Sequence, residues 1–264
     1  MLKLERLERI SDYVAENKYA TVKELSQMLD ASPATIRRDI GTLSEQHKVI
    51  VSHGGIAHND AKVSEEAPYS EKTQSNAEEK RRIALAASKM VEPRSTLMID
   101  AGTTTLCLAP FIKEIEGLNI VTNDVAMATH LANWSGGSVT VIGGILRSGY
   151  CSVIGHHATM MVSDMRADLC IVGTDAVSVE NGCMISNLDE VGIKQALIHA
   201  ARKVIVICDH TKFERESFVS FCDLGQVDVI ITGEEIPRRI REELEARNVE
   251  LVIAGDPGGQ KEPD

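Results

Sequence analysis

Aromatic residues are scarce in this chain, with one Trp, four Tyr and four Phe among 264 residues. Any hydrophobic core must therefore be aliphatic, built from Leu, Ile, Val, Ala and Met. Cysteine provides no framework either, because the six cysteines are scattered and no Cys-x-x-Cys pair occurs. This spacing disfavours a disulfide scaffold and a structural zinc site, and we expect reduced thiols with no metal and no cofactor.

Long hydrophobic runs are also missing. No window reaches the about eighteen apolar residues of a membrane-spanning helix. The first residues alternate charged and apolar positions where a secretory signal has an apolar run. We therefore expect a cytoplasmic protein without a membrane partner. With 43% hydrophobic and 25% charged residues, the composition is typical of a globular chain of one or two domains.

Positive charge is in short supply over most of the chain. Residues 1–58 contain eight basic and eight acidic residues, so this segment is neutral. Residues 59–264 contain 20 basic and 31 acidic residues and carry the whole net charge of −11. The asymmetry predicts two units with different partners. It does not by itself indicate DNA binding, because a typical DNA-binding module is basic.

Three short amphipathic helices are predicted at the N-terminus. Apolar residues recur at helical spacing from Leu4 to Val14, from Val22 to Leu29 and from Ile36 to Leu43. A Thr-x-x-Glu capping box precedes the second helix, and a Ser-Pro pair suits the start of the third. The stretch "KVIVSHGGIAH" then predicts two very short strands around a His-Gly-Gly turn. Together these elements indicate a winged helix-turn-helix.

The third helix carries most of the candidate DNA-binding residues. Its apolar stripe must pack inward, so the other side of its first turns faces outward. Arginine suits both phosphate oxygens and the O6/N7 edge of guanine. On this pattern alone, Arg37 and Arg38 could equally belong to a solvated helix face, and a histidine in the wing's turn could contact phosphate or nothing. The candidates are Ser32, Ala34, Thr35, Arg37, Arg38 and His53.

The rest of the chain predicts an α/β domain over residues 76–254. It follows a polar stretch without periodicity at 59–75, predicted to be a linker, and precedes a predicted disordered tail at 255–264. Continuous apolar runs indicate strands covered on both faces, and hence a mainly parallel sheet. The runs are 96–100, 119–123, 139–144, 170–175, 204–209, 228–233 and 250–254. The helical stretches between them are 76–91, 104–114, 124–133, 155–164, 188–202 and 235–247.

Small or polar residues end five of these predicted strands. Parallel sheets bind ligands at the carboxyl ends of their strands, so these positions predict a site. The most informative segment is "DAGTTT", residues 100–105, where Gly102, Thr103, Thr104 and Thr105 open a helix directly after a strand. Backbone N–H groups and hydroxyls there can hold a phosphate, although a plain helix start with a threonine cap explains the spacing nearly as well. The five strand ends are Asp100, Asn123, Gly143 with Gly144, Asp175 and Asp209.

Three charged residues complete the candidate pocket. Glu190 and Lys194 stand four apart on the predicted helix 188–202, on a face that continues into Leu197. The alternative is a routine surface pair, worth about 0.2–0.5 kcal/mol. Lys212 follows the strand end at Asp209. An acid, a base and a cation suit a sugar-phosphate isomerase as well as a polyol phosphate sensor, so these residues leave turnover and recognition both open.

Several of these motifs resemble one protein family. "TIRRDI" and "VSHGGIA" closely resemble the winged helix-turn-helix signature of the DeoR family of bacterial transcriptional regulators. "DAGTTT", "VTN", "VIGG", "GTD", "NLDEVGIKQ", "DHTKF" and "VDVIIT" resemble its C-terminal effector-binding domain, so the resemblance covers nearly the whole chain. The departures are modest. They include Ala176 where the family has glycine, Thr211 where it has serine, and the apolar pair Met184–Ile185.

The resemblance implies a fold, a function and a set of site residues. The fold is a winged helix-turn-helix domain at 1–58 and, at 76–254, an α/β domain related to ribose-5-phosphate isomerase. The function is that of a repressor of a sugar or polyol catabolic operon, which binds double-stranded operator DNA and a phosphorylated sugar and is not an enzyme. Phosphate or an adjacent hydroxyl would be held by Asp100, Gly102, Thr103 and Thr104. The rest of the pocket would be lined by Asn123, Asp175, Glu190, Lys194 and Lys212.

The winged helix-turn-helix also bears on the oligomeric state and on the alternative function. Operators for this fold are commonly bound by symmetric oligomers, so we expect a homo-oligomer, either a dimer or a tetramer. The alternative function is a sugar-phosphate isomerase with an appended helical domain. A winged helix has no use in an isomerase, and this favours the regulator.

Overall fold

The computed structural model describes residues 3–17, 19–45, 49–52, 55–58, 66–213, 215–247 and 249–255. The chain divides into two compact units, Met1–Lys62 and Val63–Asp264. The predicted wing residue His53, the first part of the predicted linker and the predicted tail after Gly255 lie outside the described residues.

The N-terminal unit contains three helices and a small antiparallel sheet with strand order β1-β3-β2. Its elements are α1 (Lys3–Asn17), β1 (Tyr19–Thr21), α2 (Val22–Met28), α3 (Pro33–Glu45), β2 (Val49–Ser52) and β3 (Gly55–His58). The apolar stripes meet in one core that includes Ile10, Leu25 and Ile36. The capping box forms, since the Thr21 hydroxyl accepts a hydrogen bond from Glu24 N–H at 3.1 Å and Glu24 accepts one from Thr21 N–H at 2.7 Å. The predicted helices and wing strands are confirmed, whereas β1 was not predicted.

The C-terminal unit is built on a parallel sheet. Its helices are α4 (Tyr69–Gln74), α5 (Ala77–Ser88), α6 (Thr103–Leu106), α7 (Ala109–Ile112), α8 (Val125–Leu131), α9 (His156–Ser163), α10 (Val191–Ala200) and α11 (Arg238–Glu245). Its strands are β4 (Thr96–Ile99), β5 (Leu118–Thr122), β6 (Gly137–Val141), β7 (Ile145–Leu146), β8 (Val153–Ile154), β9 (Ala167–Gly173), β10 (Ala176–Ser178), β11 (Gly182–Ile185), β12 (Ala201–Ile207), β13 (Val219–Cys222), β14 (Val229–Gly233) and β15 (Glu250–Ala254). Seven strands pair in parallel in the order β15-β14-β12-β9-β4-β5-β6. Each predicted apolar run forms one of these strands, so the predicted fold class is confirmed.

Helices cover both faces of this sheet. Along β9, Cys170 and Val172 belong to one buried cluster, which α9 and α10 complete. Leu169 and Ile171 point the other way into a second cluster, which α5, α7 and α8 complete. Because both faces are dry, successive residues of the strand are all apolar, which explains the continuous apolar runs.

The structure differs from the sequence predictions in several elements. The predicted helix 104–114 is broken into α6 and α7, because Pro110 lacks the N–H that would continue the α6 hydrogen-bond ladder. The predicted helix 188–202 starts as a 3-10 turn at Leu188–Glu190 and becomes α-helical only at α10. A second sheet, β10-β11-β13, and the β7-β8 hairpin were not predicted.

Helix α4 lies inside the predicted linker 59–75, and that part of the linker prediction is wrong. The helix has no buried residue, so no apolar periodicity indicated it. Ion pairs of its Lys72 with Glu66 and Asp175 hold it in place instead.

Among the described residues, no helix is both long and apolar enough to cross a membrane.

Candidate functional site

Helix α3 presents a polar side at the surface of the N-terminal unit. Its start is fixed by Ser32, whose hydroxyl accepts a hydrogen bond from Thr35 N–H at 3.2 Å. Ile36 and Ile40 are buried, whereas Arg37 and Arg38 are exposed. No described residue forms a hydrogen bond or ion pair with either guanidinium group. Ser32 and Ala34 are exposed beside them and Thr35 is half-buried, so the five described candidates lie on one accessible part of α3.

Asp39 is the charged residue of "TIRRDI" to which sequence analysis gave no role. It is buried, and its carboxylate accepts hydrogen bonds from Arg6 Nε at 2.5 Å and Arg6 Nη2 at 3.1 Å. This paired contact ties α1 to α3 and thereby fixes the orientation of the exposed arginines. The burial of Asp39 could have been predicted, because its spacing from Ile36 and Leu43 puts it on the inward face of the helix, where a residue is expected to be buried.

A cavity lies at the carboxyl ends of β4 and β9 in the C-terminal unit. Its lining includes seven of the ten residues predicted to bind the effector: Gly102, Thr103, Thr104, Asp175, Glu190, Lys194 and Lys212. Asp100, Thr105 and Asn123 do not line it and lie behind its wall. Further lining residues were not predicted from the sequence, among them Glu66, Tyr69, Lys72, Asp124, Tyr150 and Ser152.

Two of the residues behind the wall shape the loop after β4. The Asn123 Oδ1 atom accepts a hydrogen bond from Ala101 N–H at 2.9 Å. The Thr105 hydroxyl donates to the Gly102 carbonyl at 2.9 Å. Both side chains therefore hold the backbone of the phosphate-binding candidate segment and leave its outer surface to Thr103 and Thr104.

Asp100 and Lys194 form a buried ion pair beneath the cavity. The Lys194 Nζ atom donates to Asp100 Oδ2 and, at 2.9 Å, to the Gly173 carbonyl, and both side chains are almost fully buried. Burial raises the pKa of Asp100 to about 6, although Lys194 opposes this shift. Burial lowers the pKa of Lys194, but the neighbouring carboxylates outweigh it and the net shift is upward. The pair ties α10 to the ends of β4 and β9.

The start of α6 forms the positive end of the cavity. The first N–H groups of a helix have no intrahelical acceptor, which leaves the Thr103 and Thr104 amides available to an anion. Among the described residues the Thr104 hydroxyl has no hydrogen-bond partner, whereas the Thr103 hydroxyl accepts one from Lys80 Nζ at 3.3 Å. Lys80 is buried, and burial lowers its pKa. Lys212 adds a second ammonium, 3.7 Å from Asp209 Oδ2.

Lys72 joins α4 to the cavity through two carboxylates. Its Nζ atom lies 2.8 Å from Glu66 Oε1 and 2.7 Å from Asp175 Oδ1. Asp175 also accepts a hydrogen bond from Ser186 N–H at 3.1 Å. Burial raises the pKa of the Asp175 carboxyl, but Lys72 and the Ser186 amide outweigh burial and hold that pKa well below its usual range.

The lowered pKa of Asp175 predicts an acid-sensitive contribution to stability. An ionised group with a depressed folded-state pKa stabilises the fold above its unfolded pKa of about 4, and this contribution is lost as the pH falls through the folded pKa. The Asp175→Asn variant lacks that contribution. As the pH falls from about 5 to about 2, the free energy of unfolding should therefore drop more steeply for the wild type than for the variant. Urea unfolding across this range measures the difference, and parallel curves would contradict the ion pair.

Arg147 occupies the loop between β7 and β8, opposite α4. Its Nη1 atom lies 3.3 Å from Glu66 Oε1 and 3.2 Å from Glu190 Oε1, and its Nη2 atom contacts Glu66 Oε2. The Ser152 hydroxyl donates to Glu190 Oε1 at 2.6 Å, and the Tyr150 ring lies 3.8 Å from the guanidinium. This loop follows Gly143 and Gly144, which are one of the five predicted strand ends. The strand-end rule therefore predicted that the chain near this loop belongs to the site, although it named no residue of the loop. Nothing in the sequence pattern indicated Glu66 or Lys72.

One group of side chains has the composition of a metal site. Glu79, His210 and Glu235 each place a ligand atom within 4.8 Å of the others. His210 donates its backbone N–H to Glu79 at 2.8 Å and its Nδ1 atom lies 2.8 Å from the other Glu79 oxygen, while Glu235 pairs with Arg82. These contacts already satisfy the three side chains, so the cluster is explained as an ion-pair network.

A winged helix-turn-helix followed by an α/β unit with a polar cavity at its strand ends defines the class of ligand-responsive DNA-binding regulators. A family model for the DeoR C terminal sensor domain matches residues 75–234, and one for the DeoR-like helix-turn-helix domain matches residues 6–62. The chain therefore belongs to the DeoR family of transcriptional regulators.

Known proteins of similar sequence span the same length. The chain is 34% identical to the HTH-type transcriptional regulator GlpR of Haloferax volcanii, over 96% of this chain and 98% of that protein. It is 30% identical to the glycerol-3-phosphate regulon repressor of Escherichia coli, over 96% of this chain and 100% of that protein. Among solved structures it is similar to ribose 5 phosphate isomerase A from Neisseria gonorrhoeae, with 18% identity, a TM-score of 0.38 and coverage of 51% of this chain and 52% of that one.

Proposed function

We propose that this regulator is a repressor of a sugar or polyol catabolic operon, and that a phosphorylated sugar or polyol bound in the C-terminal unit modulates its operator binding. The observation that carries the proposal is the division of the cavity into two chemically distinct ends. One end offers amides, hydroxyls and ammonium groups, and the other offers carboxylates.

The positive end suits a phosphate. The amides and hydroxyls of Thr103 and Thr104 can donate hydrogen bonds to an anion at that place. Lys80 and Lys212 supply charge close by. This arrangement attracts an anion locally although residues 59–264 carry a net charge of −11. The Escherichia coli relative is named for a glycerol 3-phosphate regulon, which is consistent with a small phosphorylated polyol as ligand.

The acidic end suits hydroxyl groups. Asp175 and Glu190 both line the cavity, and a carboxylate accepts several hydrogen bonds. Of the two Glu190 oxygens, Oε1 is engaged by Arg147 and Ser152, while Oε2 has no hydrogen-bond partner among the described residues. A polyol chain that extends from a phosphate at α6 would meet these acceptors.

Binding without turnover is the function that these contacts favour. An isomerase needs a base and a cation that are free to act on the substrate. Here Lys194 Nζ is engaged by Asp100 and by the Gly173 carbonyl, and Glu190 is engaged by Arg147. The isomerase alternative therefore lacks a free cation at the position where the sequence suggested one.

A homo-oligomer, dimer or tetramer, that acts in the cytoplasm completes the proposal. Residues 1–58 are neutral, so each copy brings few phosphate contacts to DNA. Linking two or more such units raises the effective concentration of the second contact and supplies the missing affinity.

The phosphate-binding end is tested by Thr104→Val. This change removes an unpartnered hydroxyl while keeping the shape of the side chain, and we expect it to weaken binding of glycerol 3-phosphate by about tenfold or more, the usual size of a lost bond to a charged group. Isothermal calorimetry with glycerol 3-phosphate and with unphosphorylated glycerol measures the effect. Thr129→Val, an exposed threonine on α8, is the matched control. Equal affinity of the Thr104→Val and Thr129→Val variants would remove α6 from the site.

The same samples separate a sensor from an enzyme. We expect a ligand that binds to change the operator affinity in a gel-shift assay and to be recovered chemically unchanged. Conversion of the ligand at a rate that depends on the protein would favour the isomerase.

A further inference from the structure

Glu66 places a carboxylate inside the cavity that is proposed to bind the effector. Its oxygens lie between Lys72 and Arg147, at 2.8 Å from Lys72 Nζ and 3.3 Å from Arg147 Nη1. Only 10% of the Glu66 side chain is exposed. The carboxylate therefore belongs to the wall of the cavity. It joins Lys72, which also lines the cavity, to Arg147, which contacts Glu66 but is not itself a lining residue.

The two cations require an anion at this place. Burial lowers the pKa of Lys72, but the neighbouring carboxylates of Asp175 and Glu66 raise that pKa by more than burial lowers it, so the net shift is upward. Arg147 remains charged under all ordinary conditions. The exposed fraction is 18% for the Lys72 side chain and 12% for that of Arg147. If a neutral hydroxyl took the place of the Glu66 carboxylate, these poorly solvated cations would lose a partner, which is strongly unfavourable.

A hydrogen bond from the same loop also holds the backbone beside Glu66. The Tyr150 hydroxyl donates to the Ala67 carbonyl at 2.8 Å. Because Tyr150 and Arg147 share one loop, the segment Glu66–Ala67 is attached to that loop mainly through the Glu66 carboxylate.

We propose that Lys72 and Arg147 form a second anion subsite, that Glu66 fills it in this structure, and that the effector displaces Glu66 with a second oxyanion, a carboxylate or a phosphate. The inference rests on the proposed function, which supplies the first phosphate at α6. It narrows the ligand class from phosphorylated polyols in general to phosphorylated sugar acids and sugar bisphosphates. An incoming oxyanion keeps the charge balance around Lys72 and Arg147 unchanged, whereas a hydroxyl does not.

The test compares two ligands that differ in one group. Glycerol 3-phosphate and 3-phosphoglycerate share a phosphate and a hydroxyl, but the second has a carboxylate where the first has a hydroxymethyl group. In the full chain, Glu66→Gln should tighten 3-phosphoglycerate binding by about tenfold, because the internal competitor is gone, and leave glycerol 3-phosphate within about twofold of the wild type. Isothermal calorimetry gives both constants. Glu71→Gln, an exposed glutamate on α4, is the matched control and should change neither.

A second variant keeps the test decisive if Glu66→Gln weakens the fold. Arg147→Gln should abolish the preference for 3-phosphoglycerate over glycerol 3-phosphate. Equal gains for both ligands in Glu66→Gln would show that the single phosphate occupies the subsite, and equal losses would show that Glu66 accepts a ligand hydroxyl. Either outcome overturns the second subsite. Wild-type binding of glycerol 3-phosphate supports the proposed function whichever way Glu66→Gln behaves, and failure of both ligands to bind the wild type overturns both proposals.

Discussion

Replacing both Arg37 and Arg38 with alanine should weaken operator binding by roughly a hundredfold while leaving the fold intact, since each arginine contact to a base or phosphate is worth about 1–3 kcal/mol. Both side chains are exposed, and neither guanidinium group has a hydrogen-bond or ion-pair partner among the described residues, so their loss costs no such contact within that part of the chain. The opposite side of α3 holds the helix in place through Ile36 and Ile40. In a neutral DNA-binding unit, these two positive charges are a large share of what is available to DNA.

A gel-shift titration at fixed salt, with thermal unfolding of the same samples, measures the effect. Arg9→Ala removes one exposed charge from α1 of the same unit and is the matched control. If the double variant binds no more weakly than Arg9→Ala, α3 is not the DNA-binding helix. The dependence on salt adds a distinction: loss of phosphate contacts lowers the salt slope, whereas loss of base contacts leaves the slope and relaxes specificity.

The motif "TIRRDI" shows how far periodicity alone can go. The spacing of Ile36, Ile40 and Leu43 predicted that Arg37 and Arg38 face outward, and both are exposed in the structure. No position was predicted for Asp39, which is buried. The partner of Asp39 could not be predicted from the sequence, because Arg6 lies 33 positions earlier on another helix. Which charges meet across such distances depends on how the helices pack, and no local pattern of residues reports that.

The residues of the cavity likewise include some that a local sequence pattern predicts and others that it does not. Continuous apolar runs predicted the seven strands, and the rule that ligands bind at strand ends led to Thr103, Thr104 and Asp175, which do line the cavity. Lys72 and Glu66 were missed because α4 has no apolar stripe and is held by charges. The strand-end rule also predicted Asp100, which in the structure lies behind the cavity wall and pairs with Lys194, a residue that does line the cavity.

Asp100→Ala should destabilise the C-terminal unit by about 3–5 kcal/mol, because it leaves the buried Lys194 ammonium without its anion. The Lys194 side chain is 4% exposed, and after the change the Gly173 carbonyl is its one remaining hydrogen-bond acceptor among the residues that the structure describes. Denaturant unfolding measures the loss. Glu242→Ala, which breaks an exposed pair with Arg238 on α11, should cost well under about 1 kcal/mol and is the matched control.

A double variant shows whether the stability lost in Asp100→Ala comes from the buried Lys194 ammonium that is left without an anion. Lys194→Met added to Asp100→Ala removes the ammonium and fills similar volume, so most of the lost stability should return, as when buried pairs are replaced by apolar residues. A single Asp100→Ala variant as stable as Glu242→Ala would contradict the buried pair. If the rescued double variant still binds glycerol 3-phosphate, Asp100 and Lys194 position the ends of β4 and β9 without contacting the ligand. If the fold returns and binding does not, Lys194 reaches the ligand from the cavity wall, and the pair serves both the fold and the site.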